Sequence, residues 1–240
     1  MAHRQQLNFV ATLAKLIPQF FSNKNVLEIG SMDINGSVRN YFQGCNYLGI
    51  DVGHGPGVDI VCQGQDFRGE SESFDVVISC EVMEHNPYWL ETTKNMIRML
   101  RPGGLFILTC ATTGRPEHGT ARTDPKWSPN TVDKGWDYYK NLTRSDFIQG
   151  ISLDNFFEKF SFFENWDSFD LYFVGIKKFD IDEYESLKNW EKLPERIEEL
   201  LKPDNISRRS RYRRIFAQTL GDNWFKTQRS IVRAIDYWGE

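Results

Sequence analysis

The chain has 240 residues, a formal charge of −4 and 40% hydrophobic content, which suits one large domain or one domain with an appendage. An aromatic content of 14% excludes an extended disordered chain, which is poor in aromatics. The near balance of charge gives no compositional sign of a nucleic-acid binder.

The N-terminal stretch MAHRQQLNFVATLAKLIPQFF mixes polar and apolar residues around Lys15. It lacks the uninterrupted apolar run and small-residue cleavage site of a signal peptide. No window approaches 18 apolar residues, so no membrane-spanning helix is expected. Cys45, Cys62, Cys80 and Cys110 form no C-x-x-C pair. Buried free thiols in a reducing cytoplasm are the expectation.

From Gln5 to Phe21, apolar residues recur at helical spacing, with Pro18 ending or kinking the helix. NVLEIG (25–30) reads as a strand and turn, GSVRNYF (36–42) as a short helix. NYLGIDV (46–52) is a second strand ending at Asp51, and VDIVC (58–62) a third. FDVVISC (74–80) is apolar throughout its middle, as a strand buried on both faces is. Asn86-Pro87 opens a helix reaching Leu100, and RPGG (101–104) stops it before the strand LFILTC. Alternating strands and helices imply a mostly parallel sheet in an α/β fold.

Residues 111–142 show no periodicity and hold three prolines with Trp127, Trp136, Tyr138 and Tyr139. A loop of this length in a compact domain points to function. Thr143 to Asp146 form a capping signal for a short helix. FFEKFSFFE and DLYFVGIKK then read as an antiparallel hairpin closing the sheet. Beyond Lys178 the pattern turns helical, giving a domain at 1–179 and a helical extension at 180–240. Ile181, Tyr184, Leu187, Trp190, Leu193, Ile197 and Leu200 form its first apolar stripe, with Pro194 starting a new helix and two more helices at 205–219 and 222–238. Residues 180–204 are acidic and 205–240 basic, so the halves can pair within the chain or across a homodimer.

The chemistry-bearing constellation runs from the first strand to the second. Gly30 ends one strand, Asn35-Gly36 opens the next segment, and Asp51 ends the following strand. A glycine there admits close approach to the backbone. An acidic residue ending the second strand can accept hydrogen bonds from both ribose hydroxyls of a nucleoside. A turn glycine with a surface aspartate is the plain alternative. The dinucleotide pattern G-x-G-x-x-G is not met, since Met32 stands where its second glycine belongs.

Four further segments complete a pattern. VLEIG, YLGID, Gln65-Asp66-Phe67 before SESFDVVIS, CEVMEH, MIRMLRPGGLFILT and DLYFVGIKK stand in order. Over residues 25–178 they resemble the class I S-adenosylmethionine-dependent methyltransferases, the group with a type 11 methyltransferase domain. The glycine-rich first loop of that family is here SMDING, with Ser31 and Asp33 at its flexible positions.

The resemblance implies a Rossmann-like seven-stranded sheet, mostly parallel, with an antiparallel last strand and helices on both faces. It implies S-adenosylmethionine as cofactor and S-adenosylhomocysteine as product. Asp51 and Val52 would meet the ribose, Asp66 and Phe67 the adenine, and Glu28 the amino end. Gly30, Ser31 and Gly36 would shape the loop, with Cys80 and Glu81 beneath the sulfonium. His85 and Glu84 become the catalytic candidates, with His118 a third base. For His85 a backbone-bonded structural role is the alternative, and for His118 solvent exposure.

The acceptor side would be covered by residues 111–142, with Arg115, His118, Arg122, Trp136, Tyr138 and Tyr139 as contacts. That set suits a polar small metabolite or glycan, methylated on oxygen or nitrogen; solvated arginines and packed aromatics are the competing reading. No His/Cys/Asp group has metal-ligand spacing, so no metal is expected. The run RRSRYRR (208–214) could bind phosphates, but the preceding acidic segment favours an internally paired face, so a nucleic-acid acceptor is demoted. A non-catalytic protein of the same fold, acting through residues 180–240, is the remaining alternative.

Overall fold

Alternation along the strands divides the hydrophobic residues between two cores, one on each face of a single sheet. The computed structural model describes residues 3–179, 190–201, 215 and 217–219. Its strands are β1 (Asn25–Ile29), β2 (Asn46–Asp51), β3 (Ile60–Val61), β4 (Phe74–Cys80), β5 (Leu100–Ala111), β6 (Phe157–Asn165) and β7 (Asp170–Lys177). They lie in the order β3-β2-β1-β4-β5-β7-β6. β1 to β5 are parallel, and β7 enters antiparallel between β5 and β6. This is the Rossmann-like sheet expected, with β7 as its antiparallel strand.

One core lies under α1 (Arg4–Leu16), where Phe9, Val10 and Leu13 meet Val26, Val76, Ile78 and Ile107. Phe9 stacks on Tyr172 with ring centroids 4.5 Å apart, both fully buried. Truncating such a ring costs about 3–5 kcal/mol. The opposite core holds Leu27, Ile29 and Val77 under α2 (Trp89–Met99) and α4 (Arg144–Gly150). Neighbouring residues of one strand thus serve different cores.

Pro18 ends α1 as expected, and a 3₁₀ turn follows at Pro18–Phe20. The segment 36–42 forms only a 3₁₀ turn, Val38–Tyr41. α2 starts at Trp89, because the Asn86 side chain accepts from Tyr88 N at 2.8 Å and makes a turn first. RPGG stops the helix but continues as extended chain, since Leu100 already pairs with Phe74 through an irregularity in β4. Thr143 and Asp146 form a reciprocal capping box on α4. The long loop contains α3 (Pro129–Asp133), and α5 (Leu153–Phe156) precedes β6.

α6 (Leu193–Leu201) has Pro194 in its first turn and packs on α1 and β6. Trp190, Leu193 and Ile197 join the α1-side core. Ile181, Tyr184, Leu187, Arg208–Arg214 and the segment 222–238 lie outside the described residues. Of 205–219, residues 215 and 217–219 are described and helical, with Ala217 buried against Gly114. Cys80 and Cys110 are buried, whereas Cys45 and Cys62 are half-buried, and all four are free thiols. Among the described residues no helix is long and apolar enough to cross a membrane.

Candidate active site

Sheets that reverse strand order open a crevice at the carboxyl ends of the strands flanking the reversal. Here the reversal falls between β1 and β4, and a cavity lies there. It is lined by Gly30 after β1, by Asp51 and Val52 at the end of β2, and by Glu81 and His85 after β4. Its roof is the long loop, through Trp127, Asn130 and Trp136. The enclosed volume is about 70 Å³, small beside the roughly 300–1,000 Å³ of ordinary ligand pockets.

Gly30 has φ +80°, and a Cβ there would come within 2.1 Å of Val82 Cγ2. Only glycine fits both conditions. Asp51 Oδ2 accepts from Met32 N at 3.1 Å, which ties the SMDING loop to β2. Asp51 Oδ1 accepts from Asn130 Nδ2 at 2.9 Å. Ser31 is buried, with no partner for its hydroxyl among the described residues, and Gly36 N–H donates to Asp33.

Other expected cofactor residues sit apart from the cavity lining. Glu28 shares the α1 face with Val26, and Tyr47 Oη donates to it at 2.8 Å. Burial raises the Glu28 carboxyl to about 7 against that bond. Cys80 joins the α1-side core, where burial pushes its thiol well up. Asp66 is exposed, and the Phe67 backbone is engaged by Gln63 and by Asn95.

Beneath the cavity floor lies a buried network. Glu81 has φ +57°, and Thr109 Oγ1 donates to it at 2.8 Å. His3 Nε2 lies 3.0 Å from Asp170 Oδ2 and 3.6 Å from Glu81 Oε2. Arg115 reaches Asp170 at 3.3 Å and also donates to the Ser168 carbonyl. Burial disfavours His3's charge, but the two carboxylates prevail and raise it to about 10. Burial likewise opposes the charge on Glu81, yet His3 and Arg115 bring it down to about 2. Asp170 is pushed upward by burial and by Glu81, against the pull of His3 and Arg115.

Glu84 is fully buried, with neither carboxyl oxygen in a hydrogen bond among the described residues. Burial, and then the Glu81 charge, raise it to about 8, so it keeps its proton at neutral pH. His85 is buried beside it and held neutral, chiefly by burial. His118 is half-buried, and burial lowers it to about 4. The two imidazoles meet edge to face at 5.0 Å, and Tyr139 packs against both.

The acceptor-side candidates divide. Trp136 lines the cavity and meets Tyr88 edge-on at 5.8 Å. Arg115 is committed to Asp170, and Arg122 to Glu117 and Asp137. Tyr139 donates to the Pro116 carbonyl, while Tyr138 is half-buried off the cavity lining. Three contributors escaped the sequence reading: His3, Asp170 and Asn130. His3 and Asp170 find their partners far off in sequence, and Asn130 lies in an aperiodic loop.

A family model described as "methyltransferase domain" matches residues 1–167. The chain belongs to the methyltransferase-domain family. A 1,6-didemethyltoxoflavin-N1-methyltransferase of Burkholderia thailandensis, solved with 1,6-didemethyltoxoflavin and S-adenosylhomocysteine, shares the fold. Its TM-score is 0.50 and its identity 15%, over 73% of this chain and 79% of that one. N-methyltransferase NodS of Bradyrhizobium japonicum WM9 has a TM-score of 0.48 and 15% identity, over 73% and 97% of the two chains. A curated relative, highly reducing polyketide synthase PKS6 of Gibberella zeae, is 31% identical over 97 residues. That match spans 40% of this chain and 4% of the synthase.

Proposed function

We propose that the chain transfers the methyl group of S-adenosylmethionine to an oxygen or nitrogen of a small metabolite or glycan. The observation that carries this reading is the Asp51 carboxylate at the end of β2, aimed into the switch-point crevice with His85 across from it. A carboxylate with both oxygens accepting hydrogen bonds has the chemistry a ribose diol needs. Gly30 leaves the backbone uncovered beside it. The cofactor supplies an electrophilic methyl on a cationic sulfonium.

The protein's own work is placement. Asp51 and Val52 would fix the nucleoside end, with Gly30, Ser31 and Gly36 shaping the loop. Asp66 and Phe67 would take the adenine, Glu28 the amino end and Cys80 the place beneath the sulfonium, although all four stand outside the cavity lining. Glu81 contributes a carboxylate at the floor. Alignment of acceptor and methyl at roughly 3–3.5 Å supplies most of the rate gain. A neutral His85 has a lone pair to receive the acceptor's proton, whereas Glu84 still carries its own proton at neutral pH. Trp136 and Trp127 form the aromatic wall facing the acceptor.

Calorimetry with S-adenosylhomocysteine tests the reading. Asp51→Ala is expected to weaken binding by about 1–3 kcal/mol, the cost of leaving hydroxyls without a charged acceptor. Unchanged affinity removes the ribose assignment. No binding to the unmodified chain removes the proposal.

A further inference from the structure

Buried polar atoms without partners are rare, and each costs about 1–3 kcal/mol. Among the described residues three of them sit on two neighbours: both carboxyl oxygens of Glu84 and Nδ1 of His85. Glu84 is 0% exposed and His85 3%. One ligand-type atom each from Glu84, His85 and His118 lies within 4.8 Å of the others. His118 Nδ1 is 3.0 Å from the Pro116 carbonyl; donating there leaves its Nε2 lone pair free, which is how metal-binding histidines are oriented. The Tyr139 hydroxyl donates to the same carbonyl at 3.2 Å, and its ring braces both imidazoles.

We propose that Glu84, His85 and His118 form a divalent transition-metal site with an open coordination position, next to the cavity that His85 lines. Two imidazoles and one carboxylate suit Zn²⁺, Fe²⁺, Co²⁺ or Mn²⁺ better than Mg²⁺ or Ca²⁺, which favour all-oxygen shells. Bonds of about 2.0–2.2 Å place tetrahedral ligand atoms about 3.4 Å apart, so from separations within 4.8 Å the three need close in by no more than about 1.4 Å around an ion. The spacing rules missed the trio because its members come from two segments, one after β4 and one in the long loop. His3, Glu81 and Asp170 also lie within 4.8 Å of one another, but their charges already compensate in ion pairs.

The ion's task rests on the methyl-transfer reading; the site does not. With an ion bound, the His85 lone pair is a ligand and no longer the base; an acceptor oxygen on the ion would instead lose its proton to solvent and face the methyl as an anion. The experiment therefore reads metal and cofactor separately. The full chain is stripped with a chelator, then titrated with Co²⁺ and with Zn²⁺ by calorimetry and visible absorption, with S-adenosylhomocysteine affinity measured on the stripped chain. One ion per chain is expected, with a tetrahedral or five-coordinate Co²⁺ spectrum. His118→Ala should lower metal affinity at least tenfold while cofactor binding persists. His118→Cys should retain Co²⁺ and add a thiolate-to-cobalt charge-transfer band, which a merely structural histidine would not produce. Absence of saturable binding to the unmodified chain overturns the site. So does an unchanged affinity and spectrum in both His118 variants, their folding checked by circular dichroism.

Discussion

Asn130 Nδ2 donates to Asp51 Oδ1 across 2.9 Å, joining the five-residue helix α3 to the end of β2. A lone-pair direction of the carboxylate is thereby occupied by the protein's own loop. The cavity beneath it measures about 70 Å³, and we expect the loop to shift when a nucleoside enters. A ligand that binds one of two conformations is weakened by the fraction of molecules in the other. Asn130→Ala removes one hydrogen bond holding the closed form, a net of about 0.5–1.5 kcal/mol. We expect S-adenosylhomocysteine to bind roughly 2- to 10-fold tighter, with a faster association phase in stopped-flow. Weaker binding would make Asn130 a ligand contact instead.

Glu84 ties stability to pH. Its carboxyl rises from 4.5 in the unfolded chain to about 8 in the folded one, through burial first and the Glu81 charge second. The folded state holds this proton more tightly, so stability falls as pH climbs from about 4.5 to 8 and then levels. Glu28, raised to about 7, adds a drop in the same direction. In metal-free buffer, Glu84→Gln is expected to flatten the dependence of the urea midpoint between pH 5 and 8. At pH 8 it should exceed the parent chain in stability by about 2–4 kcal/mol. Parallel pH profiles for the two proteins would contradict this.

His3 has the opposite sign. Its folded value of about 10 lies above the ordinary 6.5. The stabilisation is therefore complete below pH 6.5 and is lost as pH rises through about 10. His3→Ala removes the cation shared by Glu81 and Asp170, and a loss of about 1–3 kcal/mol is expected at pH 6. The gap between parent and variant should close in melts at pH 10.5. A constant gap would mean that His3 acts through packing and not through charge.

The sheet was readable because its strands announce themselves locally. VLEIG and FDVVISC are β-branched and apolar, and Thr143 with Asp146 spells out its own cap. α3 and α5 were not, because five and four residues give no periodicity to detect. At the site, Gly30 and Asp51 were legible from their spacing, and His85 from its place after β4. The ion pairs of Arg115 and Arg122 were not, since Asp170 and Asp137 become their neighbours only in the fold. Glu28 shows the same limit: its position in VLEIG suggested the cofactor, while the pleat turns it to Tyr47.

The His3–Asp170 pair has a kinetic side as well. Its two members stand near opposite ends of the domain, so the loop closed by their contact is among the longest the chain makes. Such contacts form late, after most chain entropy has been surrendered. During synthesis the His3–Asp170 contact must wait for the β6–β7 hairpin to leave the ribosome. Until then His3 and Arg115 lack the carboxylate that both of them reach in the finished fold. The site should thus be the last part of the domain to mature, and a nascent chain arrested before Asp170 should have its early strands but no competent crevice.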